Sequence, residues 1–239
     1  MSRKFILFIV EGDNDKREID TILHTNYFSG FLNTYEPIIW PTNGDITAAA
    51  GVSVRNIQNK LNNILLDFRK RGVPWGNIKP NDIHEIVQIV DLDGAFISPD
   101  NILLGEENVF EYHDDYILTS NIDGAVGRNR KKAEILNKLV GIDKIGDVSY
   151  SVYFVSCNMD HVLFGNRSLS RQEKGRLSRE FQLKCEENQN MLTETLFNPN
   201  IAANGSYYDS WYEIQEDTLS LQRYTNLNLF FSDNAKNEK

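Results

Sequence analysis

Two short apolar runs that each end in acid constrain this chain most. Phe5 to Val10 is six consecutive apolar residues, and it leads straight into Glu11, Gly12, Asp13, Asn14 and Asp15. Ile86 to Val90, apolar except for Gln88, repeats the arrangement and leads into Asp91-Leu92-Asp93-Gly94. Short apolar runs bounded by turn residues read as buried strands. Carboxylates gathered where such strands stop repel one another unless solvent or a cation offsets the repulsion.

The segments between these runs give the strands a context. Asp15 to His24 reads as a helix with Ile19, Ile22 and Leu23 on one face and acid in its first turn, where the helix end is positive. Pro37 to Trp40 is a further strand, stopped by the turn signal Pro41-Thr42-Asn43-Gly44-Asp45. Val52 to Arg71 carries apolar residues at the three- and four-residue spacing of an amphipathic helix, with Gly72 as its cap and a loop over Pro74–Pro80. Asn108 to Thr119 reads as a hairpin around His113-Asp114-Asp115. Arg128 to Val140 is a helix, Ser149 to Val155 a strand and Ser168 to Glu187 a helix. Asn198 to Gly205 reads as a loop, Asp209 to Leu221 as a helix and the last eight residues as a frayed tail.

This alternation predicts an α/β fold with a four-stranded parallel sheet flanked by helices. Residues 1–157 form its core, with an insertion at about 95–127. Residues 158–239 form a mostly helical extension on the same core.

Ligands of such sheets bind beyond the carboxyl ends of the strands, and both acidic clusters fall there. If the second strand persists past Asp91, residues i and i+2 share a side, so Glu11, Asp91 and Asp93 can converge. Oxygen ligands completed by water are how Mg²⁺ is usually held, which points to phosphodiester or phosphoryl chemistry. The net charge of −9 argues against bulk attraction of nucleic acid, but a metal in an acidic site inverts the local sign. No stretch approaches the roughly 18 apolar residues of a membrane span. Cys157 and Cys185, the two cysteines, form no metal or disulfide pattern. The expected location is the cytoplasm, with no membrane partner.

The pair Ile9-Val10-Glu11-Gly12-Asp13-Asn14-Asp15 and Ile89-Val90-Asp91-Leu92-Asp93-Gly94 resembles the Toprim domain of topoisomerases, bacterial primases and several small nucleases. In that family an apolar strand ends in Glu-Gly-x-x-Asp and a later strand ends in Asp-x-Asp. Thr42-Asn43-Gly44-Asp45 is similar to a stretch of the Toprim ribonucleases that mature ribosomal RNA. The resemblance covers residues 3 to 156. It implies Mg²⁺ or Mn²⁺ held chiefly by Asp91 and Asp93, with Glu11 as a ligand or general acid/base and Asp15 as a supporting metal ligand. It implies a catalytic set of Glu11, Asp91 and Asp93 cleaving RNA or DNA.

The chain lacks a primase zinc motif and a phosphate-binding loop of its own, so it resembles a compact Toprim nuclease of the RloB-like kind. Such proteins are associated with phage defence and abortive infection, and a separate ATPase is a candidate partner.

Rival readings stay open. Glu11 to Asp15 is also an ordinary turn and helix cap. Asp91-Leu92-Asp93-Gly94 is similar to the first motif of haloacid-dehalogenase-like phosphatases, whose first Asp is the nucleophile, though Ala95 stands where those have Thr. A non-catalytic interaction protein on the same fold is the third. Arg128, Arg130, Lys131 and Lys132 are candidate nucleic-acid contacts or a solvated helix face. Asn158, Asp160 and His161 follow the fourth strand and are candidate supporting residues at the same edge. Tyr207, Tyr208, Trp211 and Tyr212 are a stacking platform or core packing.

Overall fold

A computed structural model describes residues 4–25, 29–71, 78–188 and 191–235. The expected Gly72 cap, most of the Pro74–Pro80 loop and the final four residues of the tail lie outside the described residues. The chain is an α/β protein. Its strands are β1 (Lys4–Val10), β2 (Tyr35–Pro41), β3 (Ile83–Asp91), β4 (Ile102–Leu104), β5 (Glu111–Tyr112), β6 (Ile117–Thr119), β7 (Lys144–Ile145), β8 (Val148–Ser156) and β9 (Tyr224–Thr225). Its helices are α1 (Asp13–Leu23), α2 (Ser29–Thr34), α3 (Ile57–Arg71), α4 (Ile122–Val140), α5 (Met159–Phe164), α6 (Arg171–Glu187), α7 (Met191–Leu196), α8 (Tyr207–Glu213) and α9 (Leu227–Ala235).

The main sheet runs β2-β1-β3-β8-β7, with β9 also on β8. The four long strands are parallel, whereas β7 and β9 pair antiparallel with β8. The strands are apolar on both faces because helices cover both, and the buried Gln88 that interrupts β3 accepts from the Tyr150 hydroxyl. Leu7, Ile9, Ile86, Val90, Val152 and Phe154 pack against α3, α4 and α8. Ile6, Phe8, Val10, Val87, Ile89 and Val155 pack against α1, α5, α6 and α9 on the other side. Phe8, Phe154 and Trp211 are among the largest fully buried side chains, each stabilising the fold by roughly 1.5–3 kcal/mol.

The segment after residue 157 belongs to this body. Its β9 covers the end of β8, and Trp211 meets Phe154 edge-to-face at 5.0 Å. The expected single helix over 209–221 is two pieces, α8 and a short 3-10 turn at Leu219–Leu221. The chain breaks between them at Asp217, whose φ is +44°. Leu227–Ala235 is helical up to the edge of the described residues.

The insertion folds as a small sheet ordered β4-β6-β5, with β5 and β6 forming the expected hairpin. Helix α4 starts at Ile122, six residues before the expected Arg128, because the Asn121 side chain caps it by accepting from Gly124 N–H. Gly124 and Gly127 lower local helix propensity and mask that first turn in the sequence. Among the described residues no helix is long and apolar enough to cross a membrane.

Candidate functional site

Strands β1 and β3 are adjacent and parallel, with Ile9 opposite Gln88. Their carboxyl ends therefore meet, and the Asp91 N–H donates to Glu11 Oε1 at 3.2 Å. On the other side, Met159 N–H at the start of α5 donates to Asp91 Oδ1 at 3.2 Å. Asp15, in the first turn of α1, folds back to accept from Gly12 N–H at 2.8 Å. The turn after β2 is fastened to the same edge: Thr42 N–H donates to Val10 O at 2.9 Å and Gly44 N–H to Glu11 O at 2.8 Å. It delivers Asp45, an acid that neither strand-end motif contains.

Asp91 and Asp93 do not share a strand face. Strand β3 stops at Asp91, and Asp93 and Gly94 turn the chain with φ of +50° and +68°. The i, i+2 rule needs extended backbone, so it ends where the strand ends. Helix α4 clamps the turn instead. Arg128 donates to Asp93 O at 2.8 Å and Asn129 to Gly94 O at 2.9 Å. Lys132, fully buried, places its ammonium between Asp93 Oδ2 at 2.8 Å and Asp45 Oδ2 at 2.7 Å.

One buried ammonium thus serves a crowd of acids. Burial would lower the Lys132 pKa, but Asp93, Glu11 and Asp45 keep the ammonium charged. Burial also opposes ionisation of Asp45, yet Lys132 and Thr47 outweigh it and hold its pKa below the usual value. Glu11 and Asp91 are less well served. Burial pushes both well above the ordinary carboxylate range. Glu11, Asp15 and Asp93 push Asp91 further, and Asp45, Asp93 and Asp15 do the same to Glu11 against the pull of Lys132. Asp15 is raised to about 6, mainly by burial. The edge therefore holds more acids than its own cations pair, and Glu11 and Asp91 keep their protons to higher pH than free carboxyls do.

A second group adjoins it. Asp160 is buried and ion-paired with Lys174 of α6. Glu18 of α1 is buried and accepts from the Ser178 hydroxyl, and burial raises its pKa to about 8. Lys174 feels Asp160, Asp91 and Asp15, so the two groups form one electrostatic unit. Asn158 caps α5, the helix whose first N–H holds Asp91. His161 accepts from Cys157 N–H through Nδ1, and burial lowers its pKa to about 4, which keeps the ring neutral. These two act through the backbone turn and Asp160 through charge.

The basic stretch of α4 is mostly spent inside the protein. Lys131 donates to Ala48 O and Ala49 O at 3.3 and 2.7 Å, and the Arg128 guanidinium lies 4.4 Å from the Phe110 ring centre. Arg130 is exposed. Lys132 falls in the stripe Ala125, Asn129, Lys132, Leu136, Leu139 that α4 buries, so its helical phase was the available signal that it faces inward. Of the aromatic cluster, Trp211 is core, while Tyr208 and Tyr212 are exposed.

Among the described residues no three His, Cys, Asp or Glu side chains stand together as a ready-made cation cage. The donor chemistry nevertheless fits Mg²⁺, which is commonly held by one or two carboxylates plus waters and substrate phosphate rather than by an all-protein cage. Glu11 and Asp91 are half-buried, adjacent, all-oxygen donors with raised pKa values, and Asp15 and Asp93 flank them. Comparison with protein-family models, curated proteins and solved structures finds no match for this chain.

Proposed function

We propose that this chain is a Mg²⁺- or Mn²⁺-dependent nuclease that hydrolyses phosphodiester bonds of RNA or DNA on a Toprim-like frame. The observation that carries the reading is the contact between Glu11 Oε1 and Asp91 N at the joined carboxyl ends of two adjacent parallel strands. There the pKa values of the two carboxyls are raised by burial and by the acids around them. Such a place costs free energy until a cation fills it.

Glu11 and Asp91 would hold the cation, with Asp15 and Asp93 as flanking donors. When bound, Mg²⁺ neutralises non-bridging phosphate oxygens and lowers the cost of ionising a water. Lys132 fixes the Asp93 carboxylate, and with it the turn that borders the site, so little reorganisation is left for the reacting state. Where Glu11 does not itself take the cation, its raised proton affinity would let it move a proton to or from the reacting oxygens. Met159 N–H and Asn158 keep Asp91 oriented.

The Lys132 ammonium on Asp93 also favours a second reading, in which the frame is kept as a binding module and Asp93 no longer takes a metal. An assay of the purified protein against tRNA, rRNA, single-stranded and duplex DNA separates the two. With Mg²⁺ or Mn²⁺ the nuclease reading expects cleavage that chelator stops and Glu11→Gln abolishes. Binding of nucleic acid with no cleavage in any metal supports the binding module.

A further inference from the structure

The acidic edge adjoins a cleft of about 170 Å³, lined by Trp40, Asn43, Lys60, Ile64, Asp67 and Arg71, among others. Lys60, Ile64, Asp67 and Arg71 recur every three or four residues along α3, so they form one stripe facing the end of β2. Trp40 is the last residue but one of β2. Phe68 meets its ring edge-on at 5.4 Å, and the Arg71 guanidinium lies 5.5 Å from its centre. Ile64 is a nearly buried floor. Lys60 and Arg71 are exposed, and among the described residues neither cation has a carboxylate within ion-pair distance. The exposed Asn43 side chain makes no hydrogen bond among the described residues. Its backbone is in the left-handed region, with φ of +58°.

The cleft and the acids share a turn. Asn43 lies between Thr42 and Gly44, whose N–H groups are bonded to Val10 O and Glu11 O. A strand of nucleic acid lying across the carboxyl edge of the sheet therefore passes both. We infer that the Trp40 cleft seats one unstacked base of a single-stranded nucleic acid whose backbone continues to the Glu11–Asp91 edge. This inference rests on the nucleic-acid reading above.

The chemistry matches on three counts. The cleft is smaller than the usual 300–1,000 Å³ of a small-molecule site, so it admits a single ring system rather than a duplex. Indole and guanidinium planes are the surfaces on which splayed bases stack. Lys60 and Arg71 supply unspent positive charge to the flanking phosphates, which an acidic protein of net charge −9 does not supply in bulk. Asn43 and Asp67 can donate to and accept from a base edge.

Binding measured in chelator isolates this inference from the chemistry. The probes are a fluorescein-labelled single strand of about ten nucleotides, in RNA and DNA forms, the same strand with abasic positions, and its duplex. Anisotropy with the full chain should show the base-bearing single strand bound more tightly than the abasic strand or the duplex. Trp40→Leu should weaken the base-bearing strand by on the order of tenfold, the scale of one lost stack, and leave the abasic strand unchanged. Lys60→Gln with Arg71→Gln should weaken both strands and flatten the salt dependence.

These two side chains are exposed, so the double variant keeps its fold, and it decides the matter if circular dichroism shows Trp40→Leu unfolded. Equal affinity of the parent for abasic and base-bearing strands, or parent-like binding by the variants, overturns the inference. Cleavage with parent-like binding by the variants overturns the cleft and leaves the nuclease reading standing. Base-dependent binding without cleavage in any metal supports the cleft and overturns the nuclease reading.

Discussion

The Lys132 ammonium lies 2.8 Å from Asp93 Oδ2 and 2.7 Å from Asp45 Oδ2, with no part of its side chain exposed. A run of basic residues that looked like a surface feature thus supplies the internal counter-charge of an acidic site. Removing that ammonium leaves the partly buried Asp45 with no cation and Asp93 with Arg128 alone, at 3.7 Å. Lys132→Met should lower stability by roughly 3–5 kcal/mol, toward the smaller figure because both carboxylates keep some solvent contact. A urea midpoint that falls at unchanged slope would show it. A loss below about 1 kcal/mol would mean that the pair contributes little.

The pH dependence should run opposite to that of an ordinary ion-paired acid. A carboxyl whose folded pKa is raised binds its proton more tightly in the native state, so stability falls as pH rises from the unfolded value to the folded one. For Glu18 that window runs from 4.5 to about 8. In chelator, Glu18→Gln should flatten the decline of stability between pH 5 and 7 by up to about 1.4 kcal/mol per pH unit. Superimposable pH profiles for parent and variant would show that Glu18 is not held protonated.

Metal should reverse the repulsion at Glu11 and Asp91. Millimolar Mg²⁺ or Mn²⁺ should raise the melting temperature by mass action. Asp91→Asn should do two things together: raise the melting temperature in chelator, by removing one of the like charges, and abolish the rise with metal. A variant that is destabilised in chelator yet still responds to metal would place the cation elsewhere.

Gly94 should not tolerate a side chain. Its φ is +68°, and an added Cβ would stand 2.6 Å from Leu221 Cδ2. Leu221 can shift, but the backbone angle cannot without moving Asp93. Gly94→Ala should cost roughly 1–2 kcal/mol, read by thermal or urea unfolding.

Much of the frame was legible because its long strands are apolar on both faces. Phe5 to Val10 and Ile86 to Val90 read as interior strands, and in a parallel sheet their ends bring Glu11 and Asp91 to one side. The turn at Asp93 was not legible, since alternation cannot report where a strand stops alternating. Composition does not show that Lys132 faces inward, because it sees only four cations within five residues, whereas helical phase sorts them into inward and outward. The strands β7 and β9 are two residues each, too short for any period, and only tertiary pairing with β8 defines them. Lys174 joins the site from a helix whose own sequence carries no acid-site motif, and Asp45 from a turn whose sequence resemblance does not by itself make it a site residue.

The most direct test of the central claim is cleavage of defined RNA and DNA by the purified full chain with Mg²⁺, with Mn²⁺ and with chelator, beside Glu11→Gln and Asp91→Asn at equal fold content. The account expects metal-dependent cutting by the parent and a loss of at least about a hundredfold in either variant, the scale of a lost proton-transfer group, with binding largely retained. Cutting by Glu11→Gln at the parent's rate would contradict it.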